Sequence, residues 1–194
     1  MTTNLCSRMR RPTVGLVALL IAAGSLLGED LRDWGKKLPA HQRFVVLSDF
    51  DNRAVLDKET QLVWERFPAD LDGNGLVTSA DWTEVGLASG VCFDKRLGGR
   101  MGWRLPSVTE LSTLLDPNRQ SPPFLPDGHP FVFCLEGALV TGCPPLANHM
   151  NFWTNTSWND TVTRWQVDFL VDLVSPSNPP FALVWCVRGP VAGP

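Results

Sequence analysis

The chain has 194 residues, with 17 Lys or Arg residues against 20 Asp or Glu residues, and its formal net charge is −3 at pH 7. This length is enough for one domain with a hydrophobic core. The basic residues do not form a run interleaved with aromatic residues, which argues against a nucleic-acid partner.

The N-terminus has the composition of an export signal. Arg8, Arg10 and Arg11 precede an apolar run of 14 residues, 14–27, which is shorter than a comfortable membrane span. We therefore predict a signal peptide over residues 1–28 and a secreted, periplasmic or cell-surface protein. The alternative is that the signal is not cleaved and anchors the chain in a membrane. In that case only this segment would contact the membrane. Loss of the signal would change the net charge from −3 to about −6, because it removes three basic and no acidic residues.

A strand and a β-hairpin are predicted next. Residues 43–47 are β-prone, and residues 54–56 and 61–66 are β-branched or aromatic flanks around a polar turn. The hairpin is expected to start a sheet. The predicted organisation is a signal peptide (1–28), a linker (29–42), one domain (43–190) and a tail (191–194).

The most chemically explicit stretch is residues 70–81. Counted from Asp70, oxygen-bearing side chains fall at positions 1, 3, 5, 9 and 12, and glycine falls at position 6, which is the spacing of an EF-hand calcium loop. Position 12 is Asp instead of Glu, which resembles the calcium loops of dockerin modules, and the segment before the loop is strand-like. The predicted Ca²⁺ ligands are Asp70, Asp72, Asn74, Leu76 through its backbone carbonyl, Thr78 through water, and Asp81.

A structural role is expected for this calcium ion. A single loop has no second loop against which it could switch, so regulation is the less favoured interpretation. The alternative is a solvated turn of Asp, Asn and Gly residues that binds no metal.

A helix is predicted directly after the acidic loop. Thr78 and Asp81 have the spacing of a capping box. Apolar residues then recur at helical spacing. They are Trp82, Val85, Ala88 and Cys92.

A second helix is predicted to begin after Ser107. Pro106 favours an extended entry, and Ser107 and Glu110 again have capping-box spacing. Asp116 precedes a proline and is expected to end the helix. The apolar face of this helix comprises Val108, Leu111, Leu114 and Leu115.

The C-terminal half is predicted to combine irregular chain with strands. Residues 116–150 are rich in proline, and a long irregular loop in a compact domain is often a functional surface. Residues 151–158 and 164–170 are predicted strands. Residues 181–187 are almost entirely apolar, which predicts a central strand buried on both faces.

Four cysteines remain after the signal peptide, which contains Cys6. An even number in an exported protein indicates two disulfides, and the residues alone leave three pairings open. A catalytic cysteine is the alternative interpretation. The four cysteines are Cys92, Cys134, Cys143 and Cys186.

The chain has eight tryptophans and no tyrosine, which suggests a surface on which sugar rings could stack. Trp153, Asn155, Trp158 and Asn159 combine aromatic rings with amides and are the ligand-binding candidates. The alternative places tryptophans in the core, and for Trp165 and for Trp185 the core is the preferred interpretation.

No catalytic arrangement is predicted from the sequence. His41, His129 and His149 do not pair at zinc-binding spacing, and no nucleophile elbow or phosphate-binding loop occurs. Binding is therefore favoured over catalysis.

Several motifs in order resemble the Lcl C-terminal domain family. The decamer 102–111, Gly-Trp-Arg-Leu-Pro-Ser-Val-Thr-Glu-Leu, carries most of this resemblance. The other motifs are residues 57–65, Trp82 followed ten residues later by Cys92, and residues 151–154, 165–169 and 185–189. The resemblance covers roughly residues 43–190.

The resemblance implies an α+β, C-type-lectin-like fold. In such a fold we expect two helices on a small twisted antiparallel sheet, with long irregular loops. It also implies a Cys92–Cys186 disulfide, with Cys134 and Cys143 then closing a small loop.

The expected function is extracellular binding or adhesion, with a glycan or a surface polymer as partner. One alternative is a catalyst like the formylglycine-generating enzymes, which share the lectin-like fold and need two reactive cysteines. Another is an assembly module that binds a protein partner.

Overall fold

Two small antiparallel sheets, joined by one C-terminal segment, form the framework of the protein. A computed structural model describes residues 38–133, 150–159, 163–176 and 181–189. The predicted signal peptide 1–28, most of the linker, Cys134, Cys143 and the tail lie outside the described residues.

The first sheet has the strand order β1-β2-β3-β7. A single helical turn, α1 (Ala40–Arg43), leads into it. The strands are β1 (Phe44–Leu47), β2 (Ala54–Asp57), β3 (Leu62–Glu65) and β7 (Val187–Arg188).

The predicted hairpin is confirmed as β2 and β3. Its turn is held by Asp57, whose carboxylate accepts hydrogen bonds from the Glu59 N–H at 3.0 Å and the Thr60 hydroxyl at 2.9 Å. Gln61 closes the turn with a φ of 60°. A local polar turn therefore sets the register of the strands on either side.

The second sheet has the order β4-β5-β6. Its strands are β4 (Asn151–Ser157), β5 (Arg164–Asp168) and β6 (Leu173–Pro176). The prediction of one small sheet is therefore wrong, because β4, β5 and β6 pair with one another, and of the C-terminal strands only β7 joins the first hairpin.

Residues 181–187 join the two sheets instead of forming one central strand. Leu183 bridges β4 in parallel at Phe152, and Val187 pairs with Trp64 of β3. Every residue from 182 to 187 is buried, as predicted. The segment is buried as expected, but it forms hydrogen bonds with β4 at one end and with β3 at the other.

Two longer helices complete the fold. The helix α3 (Val108–Ser112) begins at the predicted capping box, since Ser107 Oγ accepts from the Glu110 N–H and Glu110 accepts from the Ser107 N–H. Two short 3₁₀ turns also occur, at Ser48–Phe50 and Ser79–Asp81.

The helix α2 (Val85–Asp94) starts later than predicted. The capping box of Thr78 and Asp81 is present, but it caps the 3₁₀ turn Ser79–Asp81. Helix formation is delayed because Thr83 is extended, and its N–H donates to the Ala182 carbonyl at 3.0 Å. Trp82 therefore lies outside the helix.

The core is centred on Trp185, which is fully buried. Its ring lies 4.9 Å from that of Phe131 and 5.1 Å from that of Phe152. The predicted Cys92–Cys186 disulfide is present beside it and ties α2 to the C-terminal segment. Among the described residues, no helix has the length and apolarity needed to cross a membrane.

Candidate functional site

The acidic loop of residues 70–81 connects β3 to α2. One carboxylate oxygen from each of Asp70, Asp72 and Asp81 lies within 4.8 Å of the others. The loop therefore gathers three of the predicted ligands around one point.

Backbone N–H groups hold these carboxylates in place. The Asp70 carboxylate accepts from Gly73 at 2.7 Å and from Gly75 at 2.8 Å. Both glycines have φ values, 76° and 82°, that residues with a Cβ rarely adopt. The glycines therefore allow the loop to curl around the Asp70 side chain.

Asp81 is the most constrained carboxylate of the loop. It is 0% exposed, and it accepts hydrogen bonds from Leu71 at 2.6 Å, Asp72 at 3.3 Å and Thr78 at 2.7 Å. A buried carboxylate is stable only when donors or an opposite charge compensate it. Here the donors are peptide groups.

The donor set fits a calcium ion. Among the ion pairs of the described residues, none involves Asp70, Asp72 or Asp81. Three carboxylates this close repel one another unless a cation lies among them. All of the side-chain ligand atoms are oxygen, which calcium prefers.

The acidic loop is anchored to the core by its eighth residue, Val77. The Val77 side chain is buried, and its N–H donates to the carbonyl of Phe133 at 3.2 Å. Phe133 packs on Trp185, with ring centroids 5.6 Å apart. Val77 therefore links the acidic loop to Phe133 and, through it, to Trp185.

The four ligand-binding candidates do not form one surface. Trp153 is 1% exposed, and its indole N–H donates to the Thr83 carbonyl at 2.7 Å. This ring has no face for a ligand, which corrects its assignment as a stacking residue. Trp153 is therefore a core residue, which was the alternative interpretation.

Of the other three candidates, Trp158 and Asn159 follow β4 at the tip of the β4–β5 hairpin, and Asn155 lies within β4. Trp158 is 47% exposed, and Asn155 and Asn159 are exposed. The Trp158 ring meets that of Trp165 edge-on, with centroids 4.7 Å apart. The Trp165 ring therefore supports one side of the Trp158 ring.

Trp165 was expected in the core but is only partly buried. Apolar and polar residues alternate in the predicted strand 164–170, which puts Trp165 on the same face as Val167. This alternation does not show that other residues cover the end of a strand near a hairpin tip less completely. Arg164 was also missed. It pairs across the strands with Ser157 and donates to the Ser157 hydroxyl at 2.8 Å.

Two buried carboxylates elsewhere have neighbouring cations. Burial raises the pKa of Glu65, and Lys95 offsets part of that effect. Burial alone would also raise the pKa of Glu110, but hydrogen bonds from Arg104 and the Ser107 backbone outweigh it, so the pKa is lowered. These groups are structural, since Glu65 binds the Cys186 N–H at 2.7 Å and Glu110 caps α3.

His129 is packed against aromatic rings. Its ring stacks on Phe131, with centroids 5.8 Å apart. Burial, with a smaller contribution from Arg119, lowers the pKa of His129 to about 4. It is therefore a neutral packing residue at neutral pH.

Together these features define a disulfide-bonded α+β domain with two small antiparallel sheets and an acidic, EF-hand-like loop. Residues 53–188 match the family described as the Lcl C-terminal domain, and the chain belongs to this family. No curated protein and no solved structure matches the chain at a significant level.

Proposed function

We propose that this Lcl C-terminal domain protein is an exported binding module that recognises a glycan or another surface polymer. The observation that carries the proposal is the Trp158 ring, 47% exposed and braced by Trp165. An exposed indole packs on the apolar face of a sugar ring, and neighbouring amides such as Asn159 can bind its hydroxyls. The proposal includes a secreted, periplasmic or cell-surface location.

The same proposal includes a C-type-lectin-like fold. Its support is the disulfide between α2 and the C-terminal segment, together with the long chain between α3 and β4. Fold analogy does not define a ligand, so the binding proposal rests on the hairpin tip.

Calcium is proposed as a bracing ion at Asp70, Asp72, Asn74, Leu76, Thr78 and Asp81. It would neutralise the three clustered carboxylates and hold the loop in its curled form. Because the Val77 N–H is hydrogen-bonded to the Phe133 carbonyl, the ion would stabilise the core.

The test is binding of the purified protein to an immobilised glycan and polymer array, with calcium and with chelator. Trp158→Ala is expected to weaken binding about tenfold, which corresponds to the loss of one aromatic stacking contact. The matched control is Phe93→Ala, because Phe93 is also an exposed aromatic residue, 72% accessible, and lies on α2. Binding that is unchanged in Trp158→Ala would contradict the proposed site.

Chelation tests the position of the metal in the same assay. Binding should survive chelation at temperatures where the protein remains folded. Loss of binding without unfolding would place calcium in the ligand site.

A protein-partner assembly module is the second candidate. It is favoured by the exposed apolar side chains of α2, Leu87 at 66% and Phe93 at 72%. A co-purifying protein that is lost in Phe93→Ala, together with no glycan binding, would support it.

The enzymatic alternative requires a pair of reactive thiols. Cys92 and Cys186 are joined and fully buried. Titration of the native protein with a thiol reagent tests the alternative: two reactive thiols would support a catalyst like the formylglycine-generating enzymes, and none would contradict it.

A further inference from the structure

The acidic loop contains the only Asn-Gly pair in the chain, Asn74-Gly75. A backbone nitrogen that follows asparagine can attack the asparagine side-chain carbon, because the product is a five-membered imide ring. Glycine lacks a Cβ that would shield this nitrogen, and Gly75 has a φ of 82°. The Asn74 side chain is exposed, so water reaches it. The pair therefore has the residue types that this reaction requires.

The side-chain carbonyl of Asn74 is held over the following peptide. Its Oδ1 atom accepts a hydrogen bond from the Leu76 N–H at 2.7 Å. This donor lies two residues ahead, so the carbonyl group is directed along the backbone and past Gly75. The same N–H stabilises the negative charge that develops on Oδ1 when a nucleophile attacks the carbonyl carbon.

The attacking nitrogen has a proton acceptor in the loop. The Gly75 N–H donates to Asp70 Oδ2 at 2.8 Å, and the other oxygen of Asp70 accepts from the Gly73 N–H at 2.7 Å. A peptide nitrogen becomes a nucleophile when its proton is removed, and a carboxylate at hydrogen-bond distance is placed to remove it.

The leaving group is also held by the loop. The Asn74 Nδ2 atom donates to Asp72 Oδ2 at 2.7 Å, which fixes the plane of the amide. The nucleophile, the carbonyl oxygen and the leaving nitrogen thus each have one partner in the loop. Groups held in this way lose less entropy when they react.

We propose that Asn74 is a self-modification site, at which the Gly75 nitrogen displaces the side-chain amide of Asn74, and that calcium in the loop suppresses this reaction. The bond from the Gly75 nitrogen to the Asn74 Cγ atom forms, and the bond from Cγ to Nδ2 breaks. The Gly75 proton passes to Asp70, and a proton delivered through water lets Nδ2 leave as ammonia. Water then opens the imide and gives aspartate or isoaspartate, with no change of oxidation state.

Either product changes the chemistry of the loop. Aspartate adds a carboxylate at position 74 to those of Asp70, Asp72 and Asp81, which already lie within 4.8 Å of one another. Isoaspartate also carries a carboxylate, but its backbone is longer by one carbon atom. The Leu76 N–H then loses the geometry of its present hydrogen bond.

Calcium would oppose the reaction by using the same oxygen atoms. Asp70 and Asn74 are both among the proposed ligands, and a bound ion would draw their oxygen atoms away from the Gly75 and Leu76 N–H groups. This second half of the proposal rests on the calcium site of the proposed function. The modification itself does not need that site.

The experiment is incubation of the purified protein at neutral pH, in chelator and in calcium, with samples digested at intervals and analysed by mass spectrometry. An isoaspartate-specific methyltransferase assay counts the rearranged product. Asn52 and Asn118 are internal references, because both are exposed and both precede arginine. The variant is Asp70→Asn, and its matched control is Asp172→Asn, which removes the same charge from an exposed turn.

In chelator, Asn74 should gain one mass unit with first-order kinetics while Asn52 and Asn118 remain unchanged. Asp70→Asn should slow the conversion about tenfold, less than a general base contributes in an enzyme, because Asp70 is only partly buried. Asp172→Asn should convert at the native rate. No conversion at Asn74, or conversion no faster than at the reference residues, would overturn the proposal. An unchanged rate in Asp70→Asn would overturn the role of Asp70.

Calcium should slow the conversion in proportion to the fraction of loops that it occupies. Equal rates in calcium and in chelator would overturn the second half of the proposal. Thermal unfolding of the same samples then identifies the cause. A higher unfolding temperature in calcium, with an equal rate, would mean that the ion binds without holding Asn74. An unchanged unfolding temperature would overturn the calcium site itself, and the rate in chelator would still decide the modification.

Discussion

Two acidic clusters in this protein are compensated in different ways. Asp57 and Glu59 surround the guanidinium of Arg43, which is fully buried with Asp57. The carboxylates of the acidic loop face one another within 4.8 Å and receive only N–H groups from the backbone and one side-chain amide. The first cluster contains its own cation, and the second has no paired cation among the described residues but has the oxygen atoms to hold one.

The largest effect is expected where the built-in cation is removed. Arg43→Met leaves Asp57 buried without its partner, and breaking a buried pair costs about 3–5 kcal/mol. Urea denaturation measures the free energy of unfolding. The control is Arg53→Met at an exposed position, and a loss below about 1 kcal/mol in Arg43→Met would show that the pair contributes little.

Calcium should stabilise the protein through the acidic loop, because this loop, unlike the cluster around Arg43, contains no cation of its own. Calcium at about 100 times its dissociation constant should raise the free energy of unfolding by about 3 kcal/mol, and chelator should reverse the gain. Asp81→Asn should abolish this response, because it removes the charge of the fully buried ligand. Thermal unfolding with and without calcium measures the effect. An equal calcium response in Asp81→Asn would remove Asp81 from the site, and no response in the native protein would leave a metal-free turn.

The Arg104–Glu110 pair gives a smaller and pH-dependent effect. Glu110→Gln should cost about 2 kcal/mol at neutral pH, the usual value for a hydrogen bond to a charged group. The folded-state pKa of Glu110 lies below its ordinary value of 4.5, so the folded carboxylate resists protonation. Its stabilisation is therefore complete above about pH 4.5 and is lost as pH falls through the folded-state pKa.

Urea denaturation of native protein and Glu110→Gln over a series of pH values tests this sign. The difference between them should shrink on acidification. The same series with Gln120→Ala, an exposed side chain that does not titrate, should give a difference that is independent of pH. A difference that grows towards low pH would contradict the lowered pKa.

The smallest effect is expected where water already compensates the charge. The side chains of Asp49 and Arg100 are 77% and 47% exposed, and 3.6 Å separates the Asp49 Oδ2 atom from the Arg100 Nη2 atom. Asp49→Asn should change the free energy of unfolding by less than about 0.5 kcal/mol, and salt should remove even that difference. A loss above 1 kcal/mol, measured by urea denaturation, would mean that the pair is coupled to the Phe50 ring, over which Arg100 lies.

Local features of the chain were predictable because their partners lie a few residues away. The Ser107–Glu110 capping box and the β2–β3 hairpin are found as expected, since both depend on hydrogen bonds between near neighbours. The acidic loop likewise brings Asp70 and Asp81 together, although whether it binds calcium stays a prediction.

The features that the sequence pattern did not predict depend on contacts between residues far apart in the chain. The start of α2 is shifted because Thr83 pairs with Ala182, and Trp153 is buried because its indole N–H reaches Thr83, 70 residues away. Sequence spacing shows that a tryptophan is present but not which surface covers it. For the same reason the chain forms two sheets, since the choice of strand partner depends on segments far apart along the sequence.

The C-terminal segment that joins both sheets has a consequence for the order of folding. Trp185 donates its indole N–H to the Glu65 carbonyl, 120 residues earlier, and β7 completes the sheet begun by β1. A chain that emerges from its N-terminus cannot complete its first sheet until β7 has been synthesised. Contacts of such long range make folding slow. The domain should therefore complete its folding only after β7 has emerged, and removal of β7 should destabilise the first sheet.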